Sequence, residues 1–347
     1  MPRASLVVSP QTILLLAPSA TLMSCASRTV GVTRSAPRTA TAESPRLLGL
    51  DLYRPKPGGN LTVPDRVTLG RRLFQERLLS RDRSLACVDC HQPERAFTDG
   101  RARAVGVYGR RGSRSVPTLV NRAWGKSFFW DGRIDTLEEQ VLRPIVAKTE
   151  RDLTVDDAVE RLRGTSQYPA AFRETFGRDV NGDDLARALA AYVRTIQAGA
   201  SPYDRYVWGE PDALSPEAKA GLALFHGRAN CTVCHAGPNL TDEEFHNTGV
   251  FWGRQPYDPG RFGVTGASED TGKFKTPTLR EIERTAPYMH DGSLATLKDV
   301  IEFYDRGGNA NPYRDRELRR LSLTADEKGA LQAFLKSLSG PIREGLE

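Results

Sequence analysis

Apolar residues recur at intervals of three and four positions in several stretches of the chain, and this spacing predicts amphipathic helices. One stretch covers residues 184–196, with apolar positions at Leu185, Leu189, Tyr192, Val193 and Ile196. Two further helices are predicted to start after Ser215 and Thr324, which can cap a first turn. Another is predicted over residues 296–304 from its apolar face. Loops containing Gly and Pro separate the helices at residues 100–117 and 249–277. The pattern predicts an all-α fold with long loops, and loops of this kind often carry function.

Two copies of the pentapeptide Cys-x-x-Cys-His interrupt this helical pattern. They contain Cys87, Cys90 and His91 in the first copy and Cys231, Cys234 and His235 in the second. Two thiols at this spacing can add to the vinyl groups of one haem, and the adjacent imidazole then binds the iron. A redox dithiol or half of a zinc site would explain a single copy. Two copies use four of the five cysteines, and a zinc site would leave both histidines without a role. The sequence therefore predicts two covalently bound haem c groups.

The two halves of the chain repeat the same spacings. Pro117-Thr118-Leu119 matches Pro277-Thr278-Leu279, and an Asp-Gly pair follows each Leu after twelve residues. Thr-Leu then recurs four residues after each of these glycines. Gly70 and Phe74 precede the first motif as Gly221 and Phe225 precede the second. This predicts two cytochrome c-like haem domains related by internal duplication, at residues 59–204 and 205–347.

The first 58 residues differ in character from the rest. Residues 1–25 are typical of an export signal, and residues 26–58 of a disordered linker. Cys25 lies in a sequence that resembles a lipoprotein box and predicts a lipid anchor, with an ordinary signal peptide as the alternative. Residues 1–46 carry +4 of the formal net charge of +6, which leaves a weakly charged body and argues against a nucleic-acid surface. Because haem is attached outside the bacterial cytoplasm in c-type cytochromes, we expect the protein in the periplasm.

The repeat predicts that the two irons differ in their second axial ligand. Tyr304 lies fourteen residues after His290, and its counterpart Pro144 lies fourteen residues after Trp130. Proline offers no donor atom, so the first iron would stay open while an oxygen ligand closes the second. Met289 is an alternative ligand to the second iron, and Tyr304 as a core tyrosine is the structural alternative. No histidine lies between His91 and His226 to close the first iron.

Taken together, these features resemble the bacterial di-haem cytochrome c peroxidase/MauG family over residues 60–340. The matching segments are residues 80–82, 117–121, 129–133, 136–140, 275–280 and 286–292. The resemblance implies a peroxidatic N-terminal haem and an electron-collecting C-terminal haem, with Trp130 as the relay between them. It also implies that Gln140, Pro144 and Glu150 lie over the open iron, with Glu150 as the acid–base carboxylate.

The resemblance further implies a calcium ion between the two domains. Backbone oxygens of Thr285 and Pro287 would hold it, and Ser115 stands where the family has an asparagine ligand. Two other departures resemble MauG more than the ordinary peroxidases: Val107 replaces a histidine that caps the peroxidatic haem, and Tyr304 replaces a methionine. Ala229, however, stands where MauG has a surface tryptophan, so its substrate does not carry over.

Three functions remain open from the sequence. The first is a peroxidase that reduces hydrogen peroxide with electrons from a small cytochrome or a cupredoxin. The second is a MauG-like oxidase that acts on a partner protein or small molecule through a high-valent di-haem state. The third is a di-haem electron carrier without enzymatic activity.

Overall fold

The computed structural model of the protein describes residues 49–50, 59–250 and 252–346. The predicted export signal and Cys25 lie outside the described residues, and so does the predicted linker apart from Gly49 and Leu50. The helices are α1 Pro64–Phe74, α2 Cys87–Cys90, α3 Leu137–Val146, α4 Val155–Arg163, α5 Gln167–Phe176, α6 Gly182–Arg194, α7 Pro202–Val207, α8 Pro216–His226, α9 Phe262–Thr265, α10 Leu297–Asp305 and α11 Ala325–Lys336. The strands are β1 Gln197–Ala198, β2 Phe245–His246, β3 Phe274–Lys275 and β4 Ile342–Arg343. The fold is thus mostly helical, as predicted.

Helix starts follow the predicted caps at Ser215 and Thr324, and Thr296 is a third cap. The hydroxyls of Ser215, Thr296 and Thr324 each accept a hydrogen bond from the third residue of α8, α10 and α11. Each bond satisfies a backbone N–H that the first turn leaves unpaired. Helix α6 starts two residues before the predicted position because Asn181 caps it. The predicted loop at residues 249–277 also contains α9 and β3, which pattern alone did not indicate.

Each half of the molecule is built on one close helix crossing. A Cβ atom on Gly70 of α1 would lie 2.0 Å from the carbonyl oxygen of Ala188 in α6. A Cβ atom on Gly221 of α8 would lie 1.9 Å from the carbonyl oxygen of Ala330 in α11. Neither distance is sterically allowed, so glycine is required for both backbones to approach this closely. Two separate hydrophobic cores form around these crossings.

Buried polar contacts join the two halves. Arg122 Nη1 lies 2.8 Å from Glu243 Oε1, and Lys275 Nζ lies 3.5 Å from the same oxygen. The Asn121 side chain donates to Asn239 Oδ1 at 3.0 Å. Charges this deeply buried are tolerated only when paired. The contacts therefore fix one half against the other around the space between them.

The end of the chain returns to the first half. Strand β4 pairs antiparallel with β1, which follows α6. Ile342 and Leu346 pack against the N-terminal core, and the Tyr192 hydroxyl of α6 donates to Glu344. The boundary predicted near residue 204 stays a prediction, and the last residues pack across it. Among the described residues, none of the helices has the length and apolar character needed to cross a membrane.

Candidate active site

A cavity of about 830 Å³ lies between the two halves and is lined by both Cys-x-x-Cys-His motifs. The other predicted site residues that line it are Ser115, Trp130, Gln140, Pro144, Glu150, Thr285, Pro287, Met289 and Tyr304. The structure therefore brings every predicted site residue within the described chain to one space.

The first motif forms α2 and ends at His91. The carbonyl oxygen of Phe97 accepts a hydrogen bond from Nδ1 of His91 at 2.9 Å. Left-handed backbone at Ala96 and Phe97 turns the chain so that this carbonyl reaches the ring. Burial lowers the pKa of His91 to about 4, so the ring is neutral at pH 7. Because a carbonyl can only accept, Nε2 of His91 carries the lone pair that a metal requires.

The second motif repeats this arrangement on a different local framework. Residues Cys231–Val233 form a 3-10 turn, and Nδ1 of His235 donates to the carbonyl oxygen of Leu240 at 3.0 Å. Leu240 is again left-handed, with φ of +52°. Burial lowers the pKa of His235. Both histidines are thus held as the neutral tautomer with Nε2 available.

The cysteines fit covalent haem attachment better than zinc. None of the four motif cysteines forms a disulfide. Burial raises the pKa of Cys90 to about 11 and that of Cys231 to about 12, so both are thiols at neutral pH. Within the described residues the two cysteine pairs do not converge on one point, since the sole cluster of three metal-type ligands is Cys234, Asp242 and His246. Paired thiols, an oriented imidazole and apolar walls in each half are the donor set that haem c needs.

Tyr304 and Pro144 occupy the same place in two similar helices. Each is the eighth residue of its helix, α10 or α3, and each helix follows a capping threonine. Burial raises the pKa of Tyr304, and the neighbouring Cys234 and Cys231 side chains add to the rise. The phenol therefore faces the second motif. Pro144 presents its ring to the same cavity in the other half.

Met289 also lines the cavity, so both candidate ligands of the second iron, the Tyr304 oxygen and the Met289 sulfur, belong to residues that line it. Its backbone is left-handed, with φ of +72°. The carbonyl oxygen of Met289 accepts a hydrogen bond from Ser115 Oγ at 3.0 Å. Met289 lies in a turn, whereas Tyr304 lies in helix α10.

Glu150 lies in the turn after α3. Its backbone carbonyl accepts a hydrogen bond from Val107 N–H at 2.8 Å, and Gly106 packs so tightly there that a Cβ would meet Thr149 O at 2.1 Å. Burial raises the pKa of Glu150, while the nearby charges of Arg151 and Arg133 oppose that rise. A carboxyl with a raised pKa in a cavity is suited to general acid–base chemistry.

Val107 shows how the first pocket differs from the expected peroxidase arrangement. Its side chain is buried, but it is not among the residues that line the cavity, whereas Val105 and Gly106 are. The loop is closed by a bridge between Val105 and Arg111. The position that carries a capping histidine in the resembling peroxidases therefore holds a core residue here.

Trp130 lies at the junction of the two halves. Its indole Nε1 donates to the Ser115 carbonyl oxygen at 3.0 Å, and its own carbonyl accepts from Lys275 N–H at 2.7 Å. The ring meets His290 edge-on, with centroids 6.5 Å apart. His290 in turn stacks on Phe274 at 3.5 Å. Trp130 is thus tied to both halves by backbone and ring contacts.

The residues predicted for calcium offer neutral oxygens. Ser115 Oγ donates to Met289 O, and Thr285 Oγ1 donates to Ile282 O at 3.3 Å. Pro287 follows a cis peptide bond. Calcium sites usually include carboxylates, and these three residues supply none.

Two buried charged groups and one half-buried group in the cavity wall were not predicted as site residues from the sequence. They are Arg151, Lys275 and His246. Burial lowers the pKa of Lys275 to about 8. Hydrogen bonds to Asp315, Cys234 and Asp242, in that order of effect, raise the pKa of His246 to about 11. The adjacency of Arg151 to Glu150 was a signal available in the sequence, but burial of the other two depends on contacts distant in the chain.

Comparisons with known proteins agree with this geometry. The sequence profile described as di-haem cytochrome c peroxidase matches residues 64–212. The chain is 38% identical to the methylamine utilization protein MauG of Methylorubrum extorquens, over 82% of this chain and 81% of that protein. It is 34% identical to the cytochrome c551 peroxidase of Nitrosomonas europaea, over 80% of each.

Solved structures show the same fold. A MauG-like protein associated with microbial copper homeostasis superposes with a TM-score of 0.77 at 34% identity, covering 82% of this chain and 92% of that one. A protein at this level of similarity shares both architecture and ancestry with the chain. The chain therefore belongs to the di-haem cytochrome c peroxidase family and is an oxidoreductase of that family.

Proposed function

We propose that the protein is a periplasmic di-haem c-type peroxidase that reduces hydrogen peroxide at its N-terminal haem. Cys87, Cys90 and His91 would hold that haem, and Cys231, Cys234 and His235 the second. When bound, each haem supplies an iron that exchanges electrons. The observation that carries the proposal is the contrast between Pro144 and Tyr304 at equivalent positions of α3 and α10. We attribute the matching caps, histidine hydrogen bonds and glycine crossings of the two halves to internal duplication.

In this proposal each residue of the first pocket has a separate role in peroxide cleavage. Pro144 keeps the space beside the first motif free of donor atoms. Glu150 accepts a proton from one peroxide oxygen and returns it to the other, which leaves as water. The Gln140 amide can donate a hydrogen bond that orients the peroxide. Two electrons from the electron donor and two protons from solvent then convert the second peroxide oxygen to water.

Tyr304 is proposed to close the second pocket. An iron(III) ion there would favour the phenolate, because a bound cation reverses the effect of burial on an acidic group. Trp130 would carry electrons across the junction, a role that its contacts with both halves support. Tyr304 as an anionic ligand would also favour higher oxidation states than a thioether would.

The second candidate function is a MauG-like oxidation of a partner protein or small molecule. The observations that favour it are Tyr304 in the second pocket and Val107 in place of a capping histidine. In that reaction peroxide is again reduced, and the two electrons come from the substrate rather than from a dedicated donor.

The electron partner is proposed to be an acidic redox protein. Four exposed arginines, Arg306, Arg316, Arg319 and Arg320, follow Tyr304 in the chain, and we term them the arginine rim. Arg319 lines the same cavity as Tyr304. None of the four forms an ion pair with another described residue. A rim with more basic than acidic side chains accelerates encounter with acidic partners such as some small cytochromes or cupredoxins.

Two further parts of the proposal concern location and calcium. Export to the periplasm, with or without a lipid on Cys25, rests on residues outside the described part of the chain. Calcium at Ser115, Thr285 and Pro287 would appear as a calcium-dependent rise in Tm. Chelation that leaves the Tm of the isolated protein unchanged would remove this ion from the proposal.

Electron paramagnetic resonance of the resting protein tests the open first pocket. We expect one high-spin haem and one low-spin haem, and loss of the high-spin signal when peroxide is added. Two low-spin haems that do not respond to peroxide would support the electron carrier instead. Turnover with a reduced cytochrome, compared with turnover without any donor but with candidate substrates, separates the peroxidase from the MauG-like oxidase.

Glu150→Gln tests the proton step. The variant keeps the size and polarity of the side chain but cannot accept a proton, so kcat/KM for peroxide should fall about a hundredfold or more. Glu160→Gln, on the exposed face of α4, is the matched control and should behave as the parent protein. Equal rates for both variants would remove Glu150 from the mechanism.

A further inference from the structure

The turn that carries Trp130, residues 129–132, is held by contacts from the second half of the molecule. The backbone N–H of Lys275 donates to the Trp130 carbonyl oxygen at 2.7 Å. A Cβ atom on Gly132 would lie 2.2 Å from the ring of Phe245. Only glycine lets the turn approach the second half this closely. The position of Trp130 therefore depends on the side chains that the second half places against this turn.

Arg261 of the second half makes the most extensive side-chain contact with the turn. Its Nη1 donates to the backbone carbonyl oxygens of Asp131 and Gly132, at 3.0 and 2.7 Å. The guanidinium carbon lies 4.4 Å from the centroid of the Phe245 ring, so the ring that meets Gly132 also supports the arginine. Arg261 is half-buried and is not among the residues that line the cavity. It therefore acts on the turn from outside the cavity.

An ion pair fixes the chain three residues before Arg261. The carboxylate of Asp258 accepts two hydrogen bonds from Arg114 of the first half, from Nε and Nη2, both at 2.8 Å. The remaining nitrogen of that guanidinium, Nη1, lies 2.6 Å from Asp131 Oδ2. Bidentate pairs of this kind fix orientation as well as distance. Residues 258–261 thus hold both the backbone of the turn and, through Arg114, the carboxylate that it carries.

This stretch lies in a part of the chain that is much longer in the second half than in the first. Pro117 lies 18 positions after Asp99 in the first half. The matching Pro277 lies 35 positions after Asp242 in the second half. Residues 258–261 and helix α9 fall within the longer of these two spacings. Ordering extra chain costs conformational entropy, and here the ordered stretch contacts the turn of the proposed relay.

We propose that Arg261 is a positioning residue that holds Trp130 at the distance and orientation that electron transfer between the two halves requires. The assignment rests on the proposed relay role of Trp130. Phe129 and Gly132 are both left-handed, with φ of +66° and +63°, and such a backbone persists only when its surroundings restrain it. Two hydrogen bonds to adjacent carbonyl groups fix both the position and the tilt of the turn. Electron transfer through a side chain depends steeply on these two quantities.

Flash photolysis of carbon monoxide from the half-reduced holoprotein tests the proposal without peroxide turnover, because it records electron exchange between the two haems directly. In Arg261→Met this exchange should slow severalfold, while both reduction potentials stay close to the parent values. Arg261→Gln, which also lacks the guanidinium, is a second variant with the same expectation if the methionine variant folds poorly. Lys273→Met is the matched control, since Lys273 lies on the same segment and its Nζ is paired with Asp270 at 3.2 Å. The control should exchange electrons at the parent rate.

A double-mutant cycle with Trp130→Phe separates this role from a general loss of stability. If Arg261 acts through Trp130, Arg261→Met should slow the exchange little further in the Trp130→Phe background, although it should lower the Tm in both backgrounds. Additive slowing, or an Arg261→Met rate equal to that of Lys273→Met, would overturn the proposal. A parent rate in Trp130→Phe alone would instead remove Trp130 from the relay, and with it the role of Arg261, so the two failures are distinguishable.

Discussion

Pro144 and Tyr304 illustrate how a single residue can divide the work of two similar pockets. Both lie at the eighth position of a helix that a threonine caps, and both side chains line the cavity. A ring without donor atoms leaves space for a reactant, whereas a phenol can occupy that space as a ligand. The proposed division between a peroxide-binding and an electron-collecting haem therefore depends on side-chain chemistry at this one position.

Substitution of Tyr304 tests this division at the level of the residue. In Tyr304→Met a thioether would replace the oxygen ligand, so the reduction potential of the second haem should rise. In Tyr304→Phe that haem should become high-spin, because the proposed oxygen ligand is removed. Redox titration and electron paramagnetic resonance measure the two effects, with the exposed Tyr313→Phe as control. Spectra and potential unchanged in both Tyr304 variants would shift the assignment to Met289.

Single residues also show where sequence reasoning ends. The two motifs, Trp130 and Glu150 were predicted because their spacing or family position marks them. Lys275 and His246 were not marked as site residues in this way, and Arg151 was marked only by its adjacency to Glu150. Their importance comes from burial beside partners distant in the chain, such as Glu243 for Lys275 and Asp315 for His246. Long-range packing of this kind is not encoded in any local pattern.

The helix crossings at Gly70 and Gly221 position the motifs at the level of elements. Each glycine lies on the helix that leads to a motif and contacts the backbone of a later helix, α6 or α11. Caps and periodicity predicted most of these helices. The short pairings β1–β4 and β2–β3 could not be predicted, because two-residue strands have no periodic pattern and depend on where distant segments meet.

Gly221→Ala should destabilise the C-terminal half by about 1–3 kcal/mol or more, because the new methyl group would meet the Ala330 carbonyl. Gly70→Ala should do the same in the N-terminal half. Denaturant unfolding measures both effects. The control is Gly329→Ala in α11, where the added Cβ would meet only the flexible end of Glu217 at 3.3 Å. That control should be neutral or stabilising by up to about 1 kcal/mol, since alanine favours helix. Equal effects at all three glycines would argue against the close crossings.

At the scale of the whole molecule, the two halves are joined by buried charges, and separating these charges would cost free energy. Glu243 is the carboxylate that both Arg122 and Lys275 contact, and its side chain is 4% exposed. Neighbouring cations lower its pKa against the effect of burial. Glu243 is therefore ionised at neutral pH and holds two buried cations that would otherwise repel each other.

Glu243→Gln should lower the free energy of unfolding by about 3–5 kcal/mol, because it leaves two buried cations without their anion. Thermal or urea unfolding at pH 7 provides the measurement. Glu244→Gln is the neighbouring control, since Glu244 is 59% exposed and pairs with an equally exposed Lys126. That exposed pair should contribute about 0–1 kcal/mol. Similar losses for the two variants would contradict the importance of the buried pair.

The arginine rim leads to a prediction about how the whole protein reacts with an acidic electron donor. Charge reversal at Arg316 and Arg320 together should slow reduction by an acidic cytochrome at low salt and weaken its dependence on ionic strength. Reduction by ascorbate, a small molecule, serves as the control and should change little. Reversal of the exposed Arg101 and Arg111 provides the matched double variant on the other half. Faster reaction with a basic cytochrome in the parent protein would contradict the acidic partner.

The return of the chain's end to the first half links two places that are far apart in sequence. Glu344 accepts from Tyr192 and is paired with Arg71 at 3.0 Å. The Tyr192 ring packs on Phe74 with centroids 5.0 Å apart, and Phe74 packs against His91. We therefore expect a truncation or fusion beside Glu344 to perturb the packing around His91 more than the packing around the second motif. Where a tag is needed for immobilisation on an electrode, its attachment there would disturb the half that we propose to bind peroxide.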